Sequence, residues 1–235
     1  MAAEAKPIVL VEGVTKIYEQ GALEVAALRG LDLRVDEGEF TAISGPSGSG
    51  KTTLLNLIGA LDRPTSGRIW LDGHELAPMS RRELSHLRRD RIGFVFQAYN
   101  LLPVLTAYEN AEMVLALQGS PDAERRDRVM ALLAQVGLEG LEHRTPGELS
   151  GGQQQRVAIA RAIASGPAVV LADEPTANVD SETAEKLLDL MEQLNREHGI
   201  TFLFSTHDPR VMKRARRNVR VVDGRVESDE RRDAV

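Results

Sequence analysis

The stretch from Phe40 to Leu61 reads FTAISGPSGSGKTTLLNLIGAL, and its three parts decide the architecture. Phe40 to Ser44 is an apolar run of strand length. Gly45-Pro46-Ser47-Gly48-Ser49-Gly50-Lys51-Thr52 satisfies G-x-x-x-x-G-K-[ST] in full. Leu54, Leu57, Ile58 and Leu61 then recur at helical spacing. Strand, glycine-rich loop and helix, in that order, are the context in which this pattern carries a mechanism. The glycines let backbone N–H groups converge on phosphates, and the positive end of the following helix adds to the field. Lys51 then reaches the outer phosphates while Thr52 offers a hydroxyl to Mg2+, with Thr53 beside it.

Outward from this unit, Ile8 to Val11, the alternating Leu31, Leu33 and Val35, and Ile69 to Leu71 before Asp72-Gly73 predict short strands in a partly antiparallel β region. On the other side, Ser120 as cap, Pro121 in a first turn and Val129, Leu132, Leu133 and Val136 on one face predict a helix that Gly137 stops. An alanine-rich helix follows Gly152. Ala168 to Ala172 has the length and composition of a strand buried on both faces. Leu187, Leu190, Met191 and Leu194 mark a helix ending near Gly199, and Thr201 to Ser205 the next strand. Strand and helix alternating through the second half predict a parallel α/β sheet. The expected layout is one domain over residues 1–235: a core with its β lobe from 1–97 and 161–226, an inserted helical lobe over 98–160, and a charged, loose tail over 227–235.

Composition narrows the function classes. The 235 residues carry 29 Lys plus Arg against 35 Asp plus Glu, a net charge of −6, so no basic excess points to nucleic acid and none is expected as partner. With no cysteine there are no disulfides and no thiolate metal sites, which fits a reducing compartment. No run approaches the ~20 apolar residues of a spanning helix, and residues 1–6 lack a signal-type apolar stretch. The cationic stretch Arg210, Lys213, Arg214, Arg216, Arg217 and Arg220 is either a solvated helix face or a surface for anionic lipid.

Two further sites for chemistry follow. The strand Val169 to Asp173 ends in Asp173 and Glu174, at the carboxyl edge where open α/β sheets bind ligands. Asp173 is suited to hold Mg2+ and Glu174 to polarise an attacking water as general base. Leu149-Ser150-Gly151-Gly152-Gln153 makes a second glycine-rich helix start, hence a second anion site in a chain with one nucleotide loop.

With these motifs in this order the chain resembles the ABC ATPase family, whose signature is LSGGQ, over nearly its whole length. The resemblance implies a P-loop fold of ABC type: a mixed β-sheet core, an antiparallel β subdomain and an inserted α-helical subdomain. It implies ATP hydrolysis with Mg2+, in a head-to-tail dimer where Leu149, Ser150, Gly151, Gly152 and Gln153 of one copy close over the nucleotide held by the other. Gln97, after the strand Ile92 to Phe96, matches the glutamine that touches Mg2+ and water and relays movement into the helical lobe. His207, in Ser-Thr-His-Asp, matches the switch histidine at the γ-phosphate, and Tyr18 the aromatic that stacks on adenine. Asp180, in Ala177-Asn178-Val179-Asp180, matches the loop that crosses the dimer interface; the common family form has Ser where Ala177 stands.

Ala27 to Leu31, Gly45 to Gly50, Ile92 to Gln97 with Asn100-Leu101-Leu102-Pro103, and Leu149 to Arg161 resemble the branch of bacterial lipoprotein-releasing and macrolide-exporting systems. Cell-division and peptide-sensing ATPases are near relatives. That implies a membrane permease with few spanning helices as partner and a peripheral place on the cytoplasmic face of the inner membrane. The segment Ala98 to Asn110 is similar to the surface that receives the permease. Its Leu101, Leu102, Val104 and Leu105 suit either such a contact or the core of the lobe itself. The output is export or, alternatively, a signalling or cell-division switch; a soluble ABC ATPase of ribosomes or nucleic acid is the more distant reading.

Overall fold

The computed structural model describes residues 7–21 and 23–232. Two sheets form. An antiparallel one is ordered β2-β1-β4-β5, built from β1 (Pro7–Gln20), β2 (Leu23–Asp36), β4 (Ser66–Leu71) and β5 (His74–Glu75). A six-stranded mixed one is ordered β10-β9-β3-β8-β7-β6, from β3 (Phe40–Ser44), β6 (Ile92–Phe96), β7 (Val169–Asp173), β8 (Thr201–Thr206), β9 (Arg217–Val222) and β10 (Arg225–Arg231). All its pairings are parallel except β9 with β10.

The strand period of two sets what each face of the mixed sheet packs against. Val170, Ala172, Phe202 and Phe204 enter a core shared with α3 (Ala107–Gln118), α4 (Asp122–Gln135) and α5 (Gly151–Ala164) of the helical lobe and with α6 (Ser181–His198), which joins β7 to β8. The alternate Val169, Leu171 and Leu203 enter a second core with α1 (Lys51–Ile58), α2 (Arg81–Arg91) and the antiparallel sheet, where Leu31, Leu33 and Val35 are buried as their alternation predicts. β3 and β8 are buried along their whole length because both faces are covered. α7 (Pro209–Arg214) follows β8.

Three expectations are corrected. Ser120 does not cap α4: Pro121 is the N-cap residue, and the Ser120 carbonyl instead accepts from Arg125 at 2.6 Å. Residues 227–231 are not loose but lie in β10, paired with β9 and tied by three charges that find opposite ones: Arg217 chelates Asp229, Arg231 reaches Glu39, and Arg220 pairs with Glu227. Residues 233–235 fall outside the described part. The cationic stretch, read as a solvated face or a surface for lipid, carries an ionic network: Arg214 is turned onto Glu185, Asp189 and Glu192 of α6, and Arg210 onto Asp208. α5 also runs unbroken through residue 160, where the helical lobe was expected to end.

Candidate active site

The loop Gly45–Gly50 turns from β3 into α1 over a tight floor. At Gly45 (φ 146°) an added Cβ would stand 2.0 Å from the Val221 carbonyl oxygen of β9, and at Gly50 (φ 101°) 2.5 Å from the Ala27 carbonyl oxygen of β2. Ser49 is buried beneath the loop, its carbonyl accepting from Gly224 N–H at 3.0 Å. α1 has neither a side-chain cap nor an acidic residue in its first turn, so its leading N–H groups and helix dipole are left for an anion. Lys51, only 8% exposed, folds its ammonium back onto the carbonyls of Gly45 and Pro46, both at 2.9 Å.

Facing this loop are the carboxyl ends of β7 and β8. The Thr52 hydroxyl lies 3.2 Å from both oxygens of Asp173. These are hard oxygen donors of the kind Mg2+ takes with water and phosphate completing its shell, so the residues fit that ion. Glu174 adopts φ 46°, a left-handed backbone that a non-glycine residue holds only under constraint. Its N–H donates to the Ser205 carbonyl at 2.9 Å, which turns its side chain out of the strand line. The carboxylate is then gripped from the end of β8: Thr206 Oγ1 donates to Oε2 at 3.1 Å, His207 N–H to Oε1 at 3.1 Å, and His207 Nδ1 meets Oε1 at 2.6 Å. An ionised carboxylate only accepts, so Nδ1 carries the proton and Nε2 points away from it. The Glu174 side chain is 16% exposed and the His207 side chain 74%, so the acid is recessed and the imidazole reaches outward.

Pro46, Ser47, Gly48, Gly50, Lys51, Thr52, Thr53, Gln97, Glu174 and His207 thus line one cleft of about 750 Å3, which Ala27 completes from β2. Gln97 follows β6 and is cross-tied to Asn178: its carbonyl accepts from Asn178 Nδ2 at 2.9 Å, and its Nε2 donates to Asn178 Oδ1 at 3.4 Å. Tyr99 donates to the Asn178 carbonyl at 2.9 Å. Arg161 of α5, its charge desolvated, holds the carbonyls of Tyr99 and Asn100. The sequence reading missed Asn178, Tyr99 and Arg161. Asn178 stood in a quoted loop, but its partner lies 81 residues away.

Tyr18 is half-buried and is not itself part of the cleft's lining; its hydroxyl meets the side chain of Thr53, which is, and donates to Asp62 Oδ2 at 3.0 Å. Residues 149–153 are not among the cleft's lining. Ser150 caps α5 in a closed box with Gln153, accepting from its N–H at 3.3 Å while Gln153 Oε1 accepts from Ser150 N–H at 2.9 Å. A Cβ on Gly151 would meet the Tyr99 hydroxyl at 2.8 Å, and one on Gly152 the Thr183 methyl at 2.4 Å, so both glycines serve close packing. Asp180 caps α6, accepting from Thr183 N–H and Oγ1 at 2.9 and 2.6 Å, and those hydrogen bonds hold its carboxyl below the usual range.

Residues 28–177 match the family model described as ABC transporter. The chain belongs to the ABC transporter family. It is an ATP-binding cassette and an ATPase, with the P-loop architecture expected of one. It is 50% identical over 226 residues to the lipoprotein-releasing system ATP-binding protein LolD of Anaeromyxobacter dehalogenans, covering 96% of this chain and 95% of that protein. It is 47% identical to the macrolide export ATP-binding/permease protein MacB of Marinobacter nauticus over 95% of this chain, which spans 35% of that longer protein. Among solved structures, the dimeric post-hydrolysis state of the cassette MJ0796 bound to ADP and Pi, from Methanocaldococcus jannaschii, superposes with a TM-score of 0.89 at 44% identity over 97% of this chain and all of that one.

Proposed function

We propose that this cassette binds MgATP in the cleft over the Gly45–Thr52 loop and hydrolyses it with Glu174 as general base, in a head-to-tail homodimer that drives a separate membrane permease. The observation that carries the reading is the grip on Glu174. A carboxylate recessed at the end of β7, held at both oxygens by Thr206 and His207 and facing the phosphate loop, is positioned to take a proton from water.

The remaining roles follow from placement. The N-terminus of α1 and Lys51 hold the phosphates; the ammonium exchanges its two loop carbonyls for phosphate oxygens. Thr52 and Asp173, with Gln97, hold Mg2+, which would supply neutralisation of the phosphate charge. His207 turns its outer ring edge to the charge that develops on the terminal phosphate. Tyr18 receives the adenine. The signature residues Leu149 to Gln153 and the loop ending at Asp180 stand outside their own cleft, which supports their acting on the nucleotide of the second copy. The similarity to LolD and MacB favours lipoprotein release or macrolide or peptide export, at the cytoplasmic face of the inner membrane. The exposed Leu102 and Val104 are the apolar contacts offered to the permease.

Glu174→Gln tests the core of this reading, because the amide keeps the shape but cannot take the proton. ATP hydrolysis is expected to fall about a hundredfold or more, while ATP binding persists and MgATP shifts the protein to a dimer in size-exclusion chromatography. Hydrolysis near the parent rate would remove Glu174 as the base. Purification of the chain from its native membranes in mild detergent identifies the permease; recovery with ribosomes instead would end the transporter reading.

A further inference from the structure

Around Tyr18 the structure gathers two charged side chains that the proposed reaction leaves unused. Asp62 lies past the C-terminal end of α1, and both of its oxygens are engaged. Oδ2 accepts from the Tyr18 hydroxyl at 3.0 Å, and Oδ1 accepts from Lys16 Nζ at 2.8 Å and from Arg63 N–H at 2.7 Å. Lys16 also donates to the Arg63 carbonyl at 2.8 Å, and its ammonium stands 4.8 Å from the centroid of the Tyr18 ring. The Lys16 side chain is 12% exposed, so this is a held cation.

We infer that Asp62 and Lys16 fix the Tyr18 ring in the orientation that receives the purine, making Asp62 a positioning residue for recognition of the base; this rests on the proposed role of Tyr18. A tyrosine ring turns about two bonds: the hydrogen bond at its tip fixes the first, and because the hydroxyl oxygen lies on the axis of the second, it is the Lys16 ammonium over one face that sets the plane of the ring. The ammonium takes one ring face, so a flat ligand meets the other. It also draws π density from the ring, which favours stacking on an electron-rich purine. Burial first, and then the neighbouring carboxylate, raise the phenol above its ordinary value, so the hydroxyl stays a donor throughout the working range of pH.

The anchor is joined to the phosphate loop through one helix. The N–H groups of Leu61 and Asp62 donate to the Asn56 carbonyl of α1, whose first residue is Lys51. β1 is stitched to the same turn: Thr65 N–H donates to the Thr15 carbonyl at 2.9 Å, Ile17 N–H to Thr65 Oγ1 at 3.0 Å, and the Thr15 and Ser66 hydroxyls meet at 2.7 Å. The N-terminus of α1 thereby references the phosphates and its C-terminal end the base platform. The span between them is set by a rigid element rather than by the β1–β2 hairpin.

The test is isothermal titration of the whole chain with MgADP and, separately, with Mg pyrophosphate, which carries no base. Tyr18→Ala is expected to weaken ADP about tenfold or more. Asp62→Ala and Tyr18→Phe both break the Tyr18–Asp62 hydrogen bond, the second also ending the hydroxyl's contact with the Thr53 side chain, and each should weaken ADP about three- to tenfold. Asp62→Asn, which keeps an acceptor, should recover most of the loss. Pyrophosphate affinity should stay at the parent value in all of them, and Asp62→Ala with Tyr18→Ala should bind ADP no more weakly than Tyr18→Ala alone. Parent-like ADP binding by Asp62→Ala or by Tyr18→Phe, with Tyr18→Ala impaired, would overturn the positioning role and leave the platform standing. No effect of Tyr18→Ala would remove the platform itself. An equal loss of ADP and pyrophosphate would assign Asp62 to the fold of α1 instead, and should Asp62→Ala not fold, Tyr18→Phe decides.

Discussion

Two glycines of one loop face different consequences when given a side chain. Gly50 combines φ 101° with a Cβ position 2.5 Å from the Ala27 carbonyl, an obstacle of backbone that β2 cannot withdraw. Gly48 also has positive φ, 80°, but open space around its Cβ. Gly50→Ala is therefore expected to cost about 3 kcal/mol or more and to abolish nucleotide binding, whereas Gly48→Ala costs only the local strain, roughly 1 kcal/mol. Thermal unfolding of the two variants checks the order, and equal melting temperatures would refute it. At this scale the nucleotide loop and the Asp173-Glu174 strand end could be read from short contiguous patterns, whereas His207 came only from the family resemblance; the structure brings Lys51, Glu174 and His207 to one cleft. Asp62 was not legible: its bond to Tyr18 spans 44 residues and joins a strand to the end of a helix, a contact no local spacing encodes. The positive φ of Glu174 was equally hidden, since nothing about the residue type asks for it.

At the scale of elements, the strands were legible where burial on both faces makes them mostly apolar, as in β3 and β7, or where one buried face makes them alternate, as in β2. They were not legible where charge pairing replaces burial. β10 has one partly buried apolar residue, Val226, and is held by Arg217, 6% exposed, which grips Asp229 through two bonds of 2.8 and 2.7 Å and reaches Glu39 at 2.9 Å. α2 escaped notice for a similar reason: only Leu84 and Leu87 are buried, although the Ser80–Glu83 capping box announces its start. The Arg217 clamp makes β10 sensitive to acid. The guanidinium beside Asp229 is the main cause holding that carboxyl below the usual range, against the opposing effect of burial. A lowered folded-state value means stability that is present above the unfolded value, about 3.9 for Asp, and lost as pH falls through the folded one. Arg217→Met, which strips Asp229 of its guanidinium and leaves Glu39 only the more exposed Arg231, is expected to cost roughly 3 kcal/mol near neutrality. The gap in melting temperature from the parent should hold steady above about pH 5 and narrow below about pH 4. A gap that stayed constant into acid would assign the loss to packing of the arginine rather than to the ion pair.

For the whole molecule the question is why a complete set of motifs leaves two of them turned away from the cleft. Ser150 closes a capping box on its own helix, and Asp180 caps α6, so each is locally satisfied yet exposed, in the manner of a surface prepared for a second copy. In the proposed head-to-tail dimer each site would take its phosphate loop from one chain and its signature from the other. This has a consequence that a site built within one chain does not share. A Lys51→Ala chain and a Ser150→Tyr chain are each expected to be inactive alone, since every homodimer site lacks one half. Mixed at equal concentration, half of the dimers are heterodimers, and each of these pairs the intact loop of one chain with the intact signature of the other at one of its two sites. Hydrolysis should therefore rise on mixing to about a quarter of the parent rate if the sites turn over independently. Steady-state phosphate release across a series of mixing ratios provides the check, with a maximum expected at equal amounts. A flat response at every ratio would place the signature and the phosphate loop in the service of the same chain's nucleotide.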